Sequence, residues 1–169
     1  MNEATSELIK GLKKAIQTEA DGHHFYTIAA DRMKDPKGKE AFRILADEEV
    51  RHLEFLQGQY RSLRDTGALD DALSLGKRHD FSTGPIFSDE IVRHINEAQF
   101  EMSALSIGIQ LELASMNYYR EQAEKASDPD VGRFYNELAD WETGHYNALL
   151  RQQEMLKEDF WAKGGFAPF

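Results

Sequence analysis

Hydrophobic side chains recur at helical spacing through most of this 169-residue chain, and the pattern predicts four long amphipathic helices. The first is expected to begin at Thr5 or Ser6, both favourable N-cap residues, and to end near Met33. Asp35 and Pro36 then end it and start the second helix, because proline is accepted in a first helical turn. The inward face of the first helix is formed by Leu8, Leu12, Ala15, Glu19, Gly22, Tyr26, Ala29 and Met33.

The second and fourth predicted helices carry the same pattern, displaced by the 93 positions that separate His52 from His145. The second is expected over about residues 36–64, and the fourth ends near Lys157. The inward residues of the second helix are Phe42, Leu45, Glu49, His52, Leu56, Gln59 and Leu63. Those of the fourth are Tyr135, Leu138, Glu142, His145, Leu149, Gln152 and Leu156. Two unrelated amphipathic helices would not agree at an inward glutamate, histidine and glutamine together, so these helices are copies of one pattern.

The same displacement relates the first helix to the third. The matched positions are Glu19 with Glu112, Tyr26 with Tyr119, and Asp35-Pro36 with Asp128-Pro129. The third helix is expected from Ser88, an N-cap followed by two acidic residues, to about Ala126. Its inward residues are Ile91, Ala98, Leu105, Gly108, Glu112, Ser115, Tyr119 and Gln122. The chain therefore consists of two related α-hairpins.

The two hairpins, about residues 5–64 and 88–157, are joined by a stretch over 65–87 that breaks the helical pattern. Glycine and proline punctuate this stretch, with one helical turn expected near 69–75, and it is much longer than a tight bundle loop. Such a connection lets the third helix start at the opposite end of the bundle from an up-down neighbour. The pattern predicts an all-α fold, a four-helix bundle with one long crossover between helices 2 and 3, which is the ferritin-like arrangement.

The segment 158–169 is predicted to be non-helical. It holds four aromatic residues among glycine and proline, namely Phe160, Trp161, Phe166 and Phe169. We expect these side chains to cover an end of the bundle or a partner subunit, which makes a homodimer the expected assembly.

Composition narrows the classes of partner. The length suits one domain over residues 1–169, and the formal charge of −10 disfavours nucleic acid and anionic membranes. The absence of cysteine excludes disulfides, zinc ribbons, iron–sulfur clusters and thiol catalysis. No apolar signal segment opens the sequence and no apolar run is long enough to span a bilayer, so a cytoplasmic protein is expected.

Six inward polar residues carry the candidate chemistry: Glu19, Glu49, His52, Glu112, Glu142 and His145. Buried carboxylates are costly, and no lysine or arginine shares their helix faces, so they need protons, other partners or cations. The Glu-x-x-His spacing places each pair on one face of a helix. Two divalent ions would balance four carboxylates, and oxygen ligands with some imidazole suit iron or manganese, with zinc as a substitute.

These six positions resemble the di-iron motif of the ferritin-like superfamily, and the rubrerythrin-like branch is the most similar over about residues 5–157. The resemblance implies that Glu49 and Glu142 bridge two iron ions. It also implies that Glu19 with His52, and Glu112 with His145, are terminal ligands.

The chain departs from that branch in two respects. No cysteine-bearing rubredoxin domain is expected within these 169 residues. Ser115 also stands where rubrerythrins usually carry an extra ligand glutamate associated with the peroxidase cycle, which leaves peroxide reduction by that route open. Gly22 is its counterpart in the first half. Two small residues facing the metals leave space for oxygen, peroxide or water, or else permit close helix packing.

Further residues lie close to the predicted ligands along the helices. Tyr26 and Tyr119 are two turns beyond Glu19 and Glu112, where they could bond ligand carboxylates, donate electrons, or act as core tyrosines. His23 could approach the site. Its counterpart in the second half is a methionine, which argues against an essential role.

Asp47 and Asp140 match each other across the two halves. They could accept a hydrogen bond from a ligand histidine on a neighbouring helix, or have only a solvent or capping role.

The predicted function is redox chemistry at two iron ions: oxidation of ferrous iron by oxygen or peroxide, with peroxide removal as a close variant and an unidentified electron donor. One alternative is iron binding or storage without turnover. Another is a helical interaction protein with a residual metal site, against which the matched ligands in both halves argue.

Overall fold

The computed structural model describes residues 3–164, and this part of the chain is helical with no strand. The helices are α1 (Glu3–Arg32), α2 (Pro36–Thr66), α3 (Asp89–Arg93), α4 (Gln99–Lys125) and α5 (Pro129–Gly164). Short 3-10 turns occur at Phe81–Thr83 and Ile95–Glu97. Helix α1 packs along α2, and α4 along α5, as two hairpins. The predicted all-α bundle is confirmed.

Side-chain contacts show how the two hairpins face each other. Tyr26 of α1 bonds Glu112 of α4, while Glu19 of α1 bonds Tyr119 of α4, so these helices run antiparallel. Within the described residues, no helix combines the length and the apolar character needed to cross a membrane.

The corner between α1 and α2 is a buried junction. The Asp35 carboxylate caps α2 by accepting the Gly38 N–H at 2.7 Å. It also accepts the Ser88 N–H at 3.1 Å and the Ser88 hydroxyl. Asp35 therefore joins the start of α2 to the start of the second half of the chain.

The third helix differs from the prediction of one continuous helix from Ser88. Short α3 ends at Arg93, His94 and Ala98 leave helical geometry, and α4 begins only at Gln99. The Ser88 hydroxyl donates to Asp35 and does not cap α3. This stretch also buries Phe87 and Ile95 in the core, and tertiary burial outweighs local helix preference here.

One further boundary corrects a sequence-based expectation. Helix α5 continues to Gly164, so the start of the segment 158–169 is helical. Residues 158–163 contain no glycine or proline that would end the helix earlier. Phe160 and Trp161 lie on this last part of α5 and are exposed, whereas Phe166 and Phe169 lie outside the described residues.

Over residues 69–75 the crossover contains a hydrogen-bonded turn, in which the Leu73 N–H donates to the Asp70 carbonyl oxygen at 3.2 Å, and it contains no helix longer than this turn. The Gln59 side chain accepts the Asp70 N–H at 2.8 Å and donates to the Asp70 carbonyl oxygen at 2.9 Å, and these two bonds attach the turn to α2.

The hydrophobic core is divided in two along the bundle axis. One apolar cluster surrounds Tyr26, Leu105 and Leu149, and the other surrounds Leu56 and Tyr119. Along each long helix the polar inward residues lie between these clusters, so the bundle contains a buried polar layer.

Candidate metal centre

The polar layer consists of the six predicted ligands, and none of them is more than 4% exposed. Helical periodicity places them there: each sits on the same helix face as leucine and alanine side chains of the core. The four helices that supply them come from both halves of the chain, so the site forms only when the two hairpins pack together.

Two of the glutamates each face both histidines. Glu142 places Oε1 3.1 Å from His52 Nδ1 and Oε2 3.3 Å from His145 Nδ1. Glu49 places Oε2 3.8 Å from His52 Nδ1 and Oε1 3.5 Å from His145 Nδ1. Each carboxylate therefore offers one oxygen to each of two neighbouring positions, which is the geometry that a bridging ligand requires.

The other two glutamates each belong to one histidine. Glu19 Oε2 lies 3.1 Å from His52 Nδ1, and Glu112 Oε2 lies 3.6 Å from His145 Nδ1. Two sets of four result, and within each set one ligand atom per residue lies within 4.8 Å of the others. We name them the His52 position (Glu19, Glu49, His52, Glu142) and the His145 position (Glu49, Glu112, Glu142, His145).

Several buried atoms of the site lack a hydrogen-bond partner among the described residues. They are both carboxylate oxygens of Glu142, Nδ1 of His145 and Nε2 of His52. Leaving such atoms unpaired in a protein interior is costly. Divalent cations bound to the Glu142 oxygens and to the Nδ1 atoms would remove most of that cost. Oxygen and imidazole donors suit iron or manganese, so the residues fit the predicted metals.

Without a cation, protons have to balance the charges, and the carboxylates respond unequally. Burial, together with the charges of Glu19 and Glu142, raises the pKa of Glu49 well above its ordinary value. Burial and the charge of Glu142 raise the pKa of Glu112 to about 8. Burial alone would also raise the pKa of Glu142, but the charges of His52 and His145 lower it below its ordinary value. The cluster therefore shares protons among its carboxylates and imidazoles.

The two predicted tyrosines each reach across to the opposite half of the chain. Tyr26 donates to Glu112 Oε1 and Tyr119 donates to Glu19 Oε1, and both rings are fully buried. Burial, followed by the charges of these glutamates, raises the pKa of both hydroxyls well above the ordinary value. Both tyrosines therefore remain hydrogen-bond donors. Their predicted catalytic role stays a prediction.

The contacts of Gly22 and His23 show what these two residues do near the site. A Cβ atom on Gly22 would lie 3.3 Å from Glu49 Oε2, so this glycine lets α1 approach the ligand closely. Ser115 is buried on α4. His23 does not join the ligand sets, because its Nδ1 lies 3.0 Å from the carbonyl oxygen of Ala46.

Of the two roles left open for the matched aspartates, the structure agrees with the solvent role, and a different residue is the outer carboxylate. Asp47 and Asp140 are exposed, and neither contacts a ligand histidine. The acceptor is Glu48, which is fully buried and whose Oε2 lies 2.7 Å from His145 Nε2. Its counterpart in the second half is Trp141, so the repeat gives no indication of its role. The sequence signal for this role is that Glu48 is the second of two acidic residues directly before the predicted ligand Glu49.

Glu48 is held as a carboxylate that accepts on both oxygens. Its Oε1 receives the guanidinium of Arg51 at 2.7 Å and the backbone N–H of His79 at 2.6 Å. Burial alone would raise the pKa of Glu48, but the bonds from His145 and the His79 amide, with the Arg51 charge, lower it. Because an ionised carboxylate can only accept, His145 Nε2 carries a proton, which leaves Nδ1 as the ring nitrogen that can release its proton and bind a metal ion.

Comparison with known proteins agrees with this architecture. Residues 10–153 match the family model described as Rubrerythrin, which is most of the chain and includes all six predicted ligands. A search of curated proteins gave no match. A search of solved structures also gave none. From the helical bundle, the buried carboxylate and histidine layer and this match, we conclude that the chain belongs to the rubrerythrin family of the ferritin-like superfamily.

Proposed function

We propose that this protein binds two iron ions in the polar layer and that its reaction is the oxidation of ferrous iron by oxygen or peroxide. The observation that carries the proposal is that Glu49 and Glu142 each present one oxygen to each of two histidines. Such shared carboxylates suit two neighbouring ions better than one. Bound iron would supply the one-electron changes that side chains cannot provide.

The roles proposed for the side chains follow from their positions. Glu49 and Glu142 bridge the two positions, Glu19 with His52 completes one, and Glu112 with His145 completes the other. Tyr26 and Tyr119 orient the two terminal glutamates by donating hydrogen bonds to them from the opposite half. The apolar clusters on both sides keep bulk water out of the layer.

The small side chain at Ser115 favours iron oxidation over a peroxidase cycle as the main reaction. A serine hydroxyl cannot supply the additional carboxylate charge that rubrerythrins usually place one turn after the α4 ligand. Peroxide therefore enters the proposal as an oxidant of iron. An external electron donor would return the site to its reduced form, and exposed Phe160 and Trp161 near the end of α5 support a homodimer.

Elemental analysis of protein produced with iron, followed by rapid mixing of the anaerobically reduced form, tests this function. We expect about two iron ions per chain and an absorbance change on mixing with oxygen or peroxide that is faster than oxidation of free ferrous iron. Two bound ions without accelerated oxidation would indicate binding or storage alone. Less than one ion per chain after loading would contradict the proposal.

A further inference from the structure

The two ligand histidines differ in what their outer nitrogens contact. Nε2 of His145 lies 2.7 Å from a Glu48 oxygen. Nε2 of His52 has no hydrogen-bond partner among the described residues, and its ring stands at 87° to the Trp141 indole with centroids 5.0 Å apart. Because Glu48 and Trp141 occupy matched positions in the two halves, the repeat places a carboxylate behind one histidine and an aromatic ring behind the other.

The surroundings of these two residues are also matched but unequal. Arg51, which pairs with Glu48, corresponds by repeat to Gly144. The space at Gly144 is taken by Arg78 of the crossover, since a Cβ atom there would lie 2.7 Å from Arg78 Nη1. The Arg78 guanidinium lies 5.8 Å from the centre of the Trp141 ring. An arginine therefore lies on the outer side of each ligand histidine, Arg51 beyond His145 and Arg78 beyond His52. A carboxylate, that of Glu48, lies between the arginine and the histidine in the first case, and the Trp141 ring lies between them in the second.

We propose that Glu48 positions His145 and makes the two metal positions unequal, so that the His145 position fills before the His52 position. The proposal rests on the metal centre proposed above. A carboxylate that accepts the outer N–H of a ligand histidine fixes its tautomer and ring orientation and increases its basicity, and losing such a partner typically lowers metal affinity about 10–100-fold. His52 has no such acceptor in the described part of the chain, so its position binds more weakly.

Glutamine has almost the same shape as glutamate, but replacing Glu48 by glutamine should reverse the direction of the hydrogen bond to His145. The variant Glu48→Gln has one acceptor oxygen, and the Arg51 guanidinium and the His79 amide both point at the same acceptor atom. The glutamine oxygen therefore faces those two donors, and its NH₂ group faces His145 Nε2. That nitrogen must then accept, which moves the ring proton to Nδ1, the atom that faces the metal ligands. The uncharged variant Glu48→Met makes no such demand.

Titration of metal-free protein with Co²⁺, followed by calorimetry and visible absorption, tests the proposal. We expect two steps for the wild type, separated by about 10-fold or more in affinity. Glu48→Gln should weaken the tighter step by about 10–100-fold, and Glu48→Met should weaken it less. A purely structural role predicts the reverse order, because glutamine matches glutamate in size. The matched control, Trp141→Phe, should leave the tighter step unchanged.

A second measurement uses the unmodified chain and does not depend on how the variants fold. With one equivalent of Zn²⁺, nitrogen NMR of the imidazoles should show Nδ1 of His145 metal-bound and its Nε2 protonated, with His52 perturbed only by the second equivalent. Equal filling of both positions, or first filling at His52, would overturn the proposal. So would equal loss in both Co²⁺ steps of Glu48→Gln. If wild-type protein binds two ions but fails these tests, the proposed function stands and the inequality of the two positions is wrong. If it binds no ion, both proposals are wrong.

Discussion

Glu49 and Glu142 occupy matched positions in the two halves, yet the pKa of Glu49 is raised and that of Glu142 is lowered. Glu142 lies 3.1 and 3.3 Å from the two imidazole Nδ1 atoms, whereas Glu49 lies 3.8 and 3.5 Å from them. The histidine charges lower the pKa of the closer carboxylate, Glu142, while burial and the charges of Glu19 and Glu142 raise the pKa of Glu49. Glu142 is therefore the anion on which both positions depend most.

Glu142→Gln keeps the size of the side chain but removes a charge and much of its ability to bridge. We expect this variant to bind about one metal ion per chain and to lose the rapid oxidation step. The metal-free form should also be destabilised by about 3–5 kcal/mol, because two buried imidazoles each lose a carboxylate that lies within 3.3 Å of Nδ1.

Glu137→Gln removes the same charge from an exposed position on the same helix and is the matched control. It should bind two ions and unfold like the wild type. Elemental analysis, denaturant unfolding and stopped-flow absorbance measure these quantities. Two ions and wild-type oxidation in Glu142→Gln would show that Glu142 is not a bridge.

Tyr119→Phe removes a hydrogen-bond donor from the terminal ligand Glu19 without changing the charge of the site. Metal content should stay at the wild-type value, the oxidation rate should change, and the metal-free form should lose about 1–3 kcal/mol because a buried carboxylate loses its donor. Tyr60→Phe, at a half-buried tyrosine of α2 outside the ligand sets, is the control. Unchanged oxidation rates in Tyr119→Phe would leave this tyrosine with a structural role only.

Helices α2 and α5 each begin directly after an aspartate, at Asp35-Pro36 and Asp128-Pro129, and the two aspartates differ in burial. Asp35 is 5% exposed and accepts bonds from Gly38 and from Ser88, which belongs to the other half of the chain. Asp128 is exposed, and its Oδ1 accepts a local bond from the Asp130 N–H at 2.9 Å. One corner therefore joins the two halves, whereas the other only starts a helix.

Asp35→Ala should cost more stability than Asp128→Ala. An exposed helix cap contributes about 1 kcal/mol, so Asp128→Ala should lower the free energy of unfolding by about that amount. Asp35→Ala also leaves the half-buried Ser88 N–H and the Ser88 hydroxyl without their acceptor, which raises the expected loss to about 2–4 kcal/mol. Denaturant unfolding of the two variants measures the difference, and equal losses would mean that the Asp35–Ser88 bonds contribute no stability.

Across the bundle as a whole, the polar layer makes folding depend on what neutralises it. The pKa of Glu112 is raised from 4.5 to about 8 by burial and the Glu142 charge, so the stability of metal-free protein falls as pH rises between those values. Burial would lower the pKa of His52, but Glu142 and Glu19 raise it from 6.5 to about 9. Its contribution is complete below 6.5 and is lost as pH rises through 9. Glu142, whose pKa is lowered, keeps its contribution throughout that range.

Metal-free protein should therefore melt at a lower temperature at about pH 8.5 than at about pH 5.5. Chelation of loaded protein should lower the melting temperature more at the higher pH, because protons partly replace the cations at the lower one. Thermal unfolding with and without chelator, at both pH values, measures this. Equal melting curves for loaded and chelated protein at pH 8.5 would show that the layer is stable without cations.

Much of the fold and of the site follows from local pattern. Apolar spacing of three and four residues predicted the four long helices, because only one face of each can be buried. Inward glutamates and histidines at matched positions identified the six candidate ligands, since helical geometry turns sequence spacing into a shared face. Hydrogen bonds from Tyr26 and Tyr119 to ligand carboxylates were also among the roles that the sequence allowed, and the structure contains both bonds.

Contacts between distant residues decided the rest. Short-range preferences favoured one helix from Ser88, but the chain leaves helical geometry at His94 and Ala98, between which Ile95 packs into the core. Glu48 and His145 are 97 positions apart, and only the packing of α2 against α5 brings the carboxylate to the outer nitrogen. The repeat matches the six candidate ligands, but it pairs Glu48 with Trp141. Only the tertiary structure shows that this difference lies behind the two histidines, because hydrogen bonds and charges act through distance in space, which spacing along a chain does not encode.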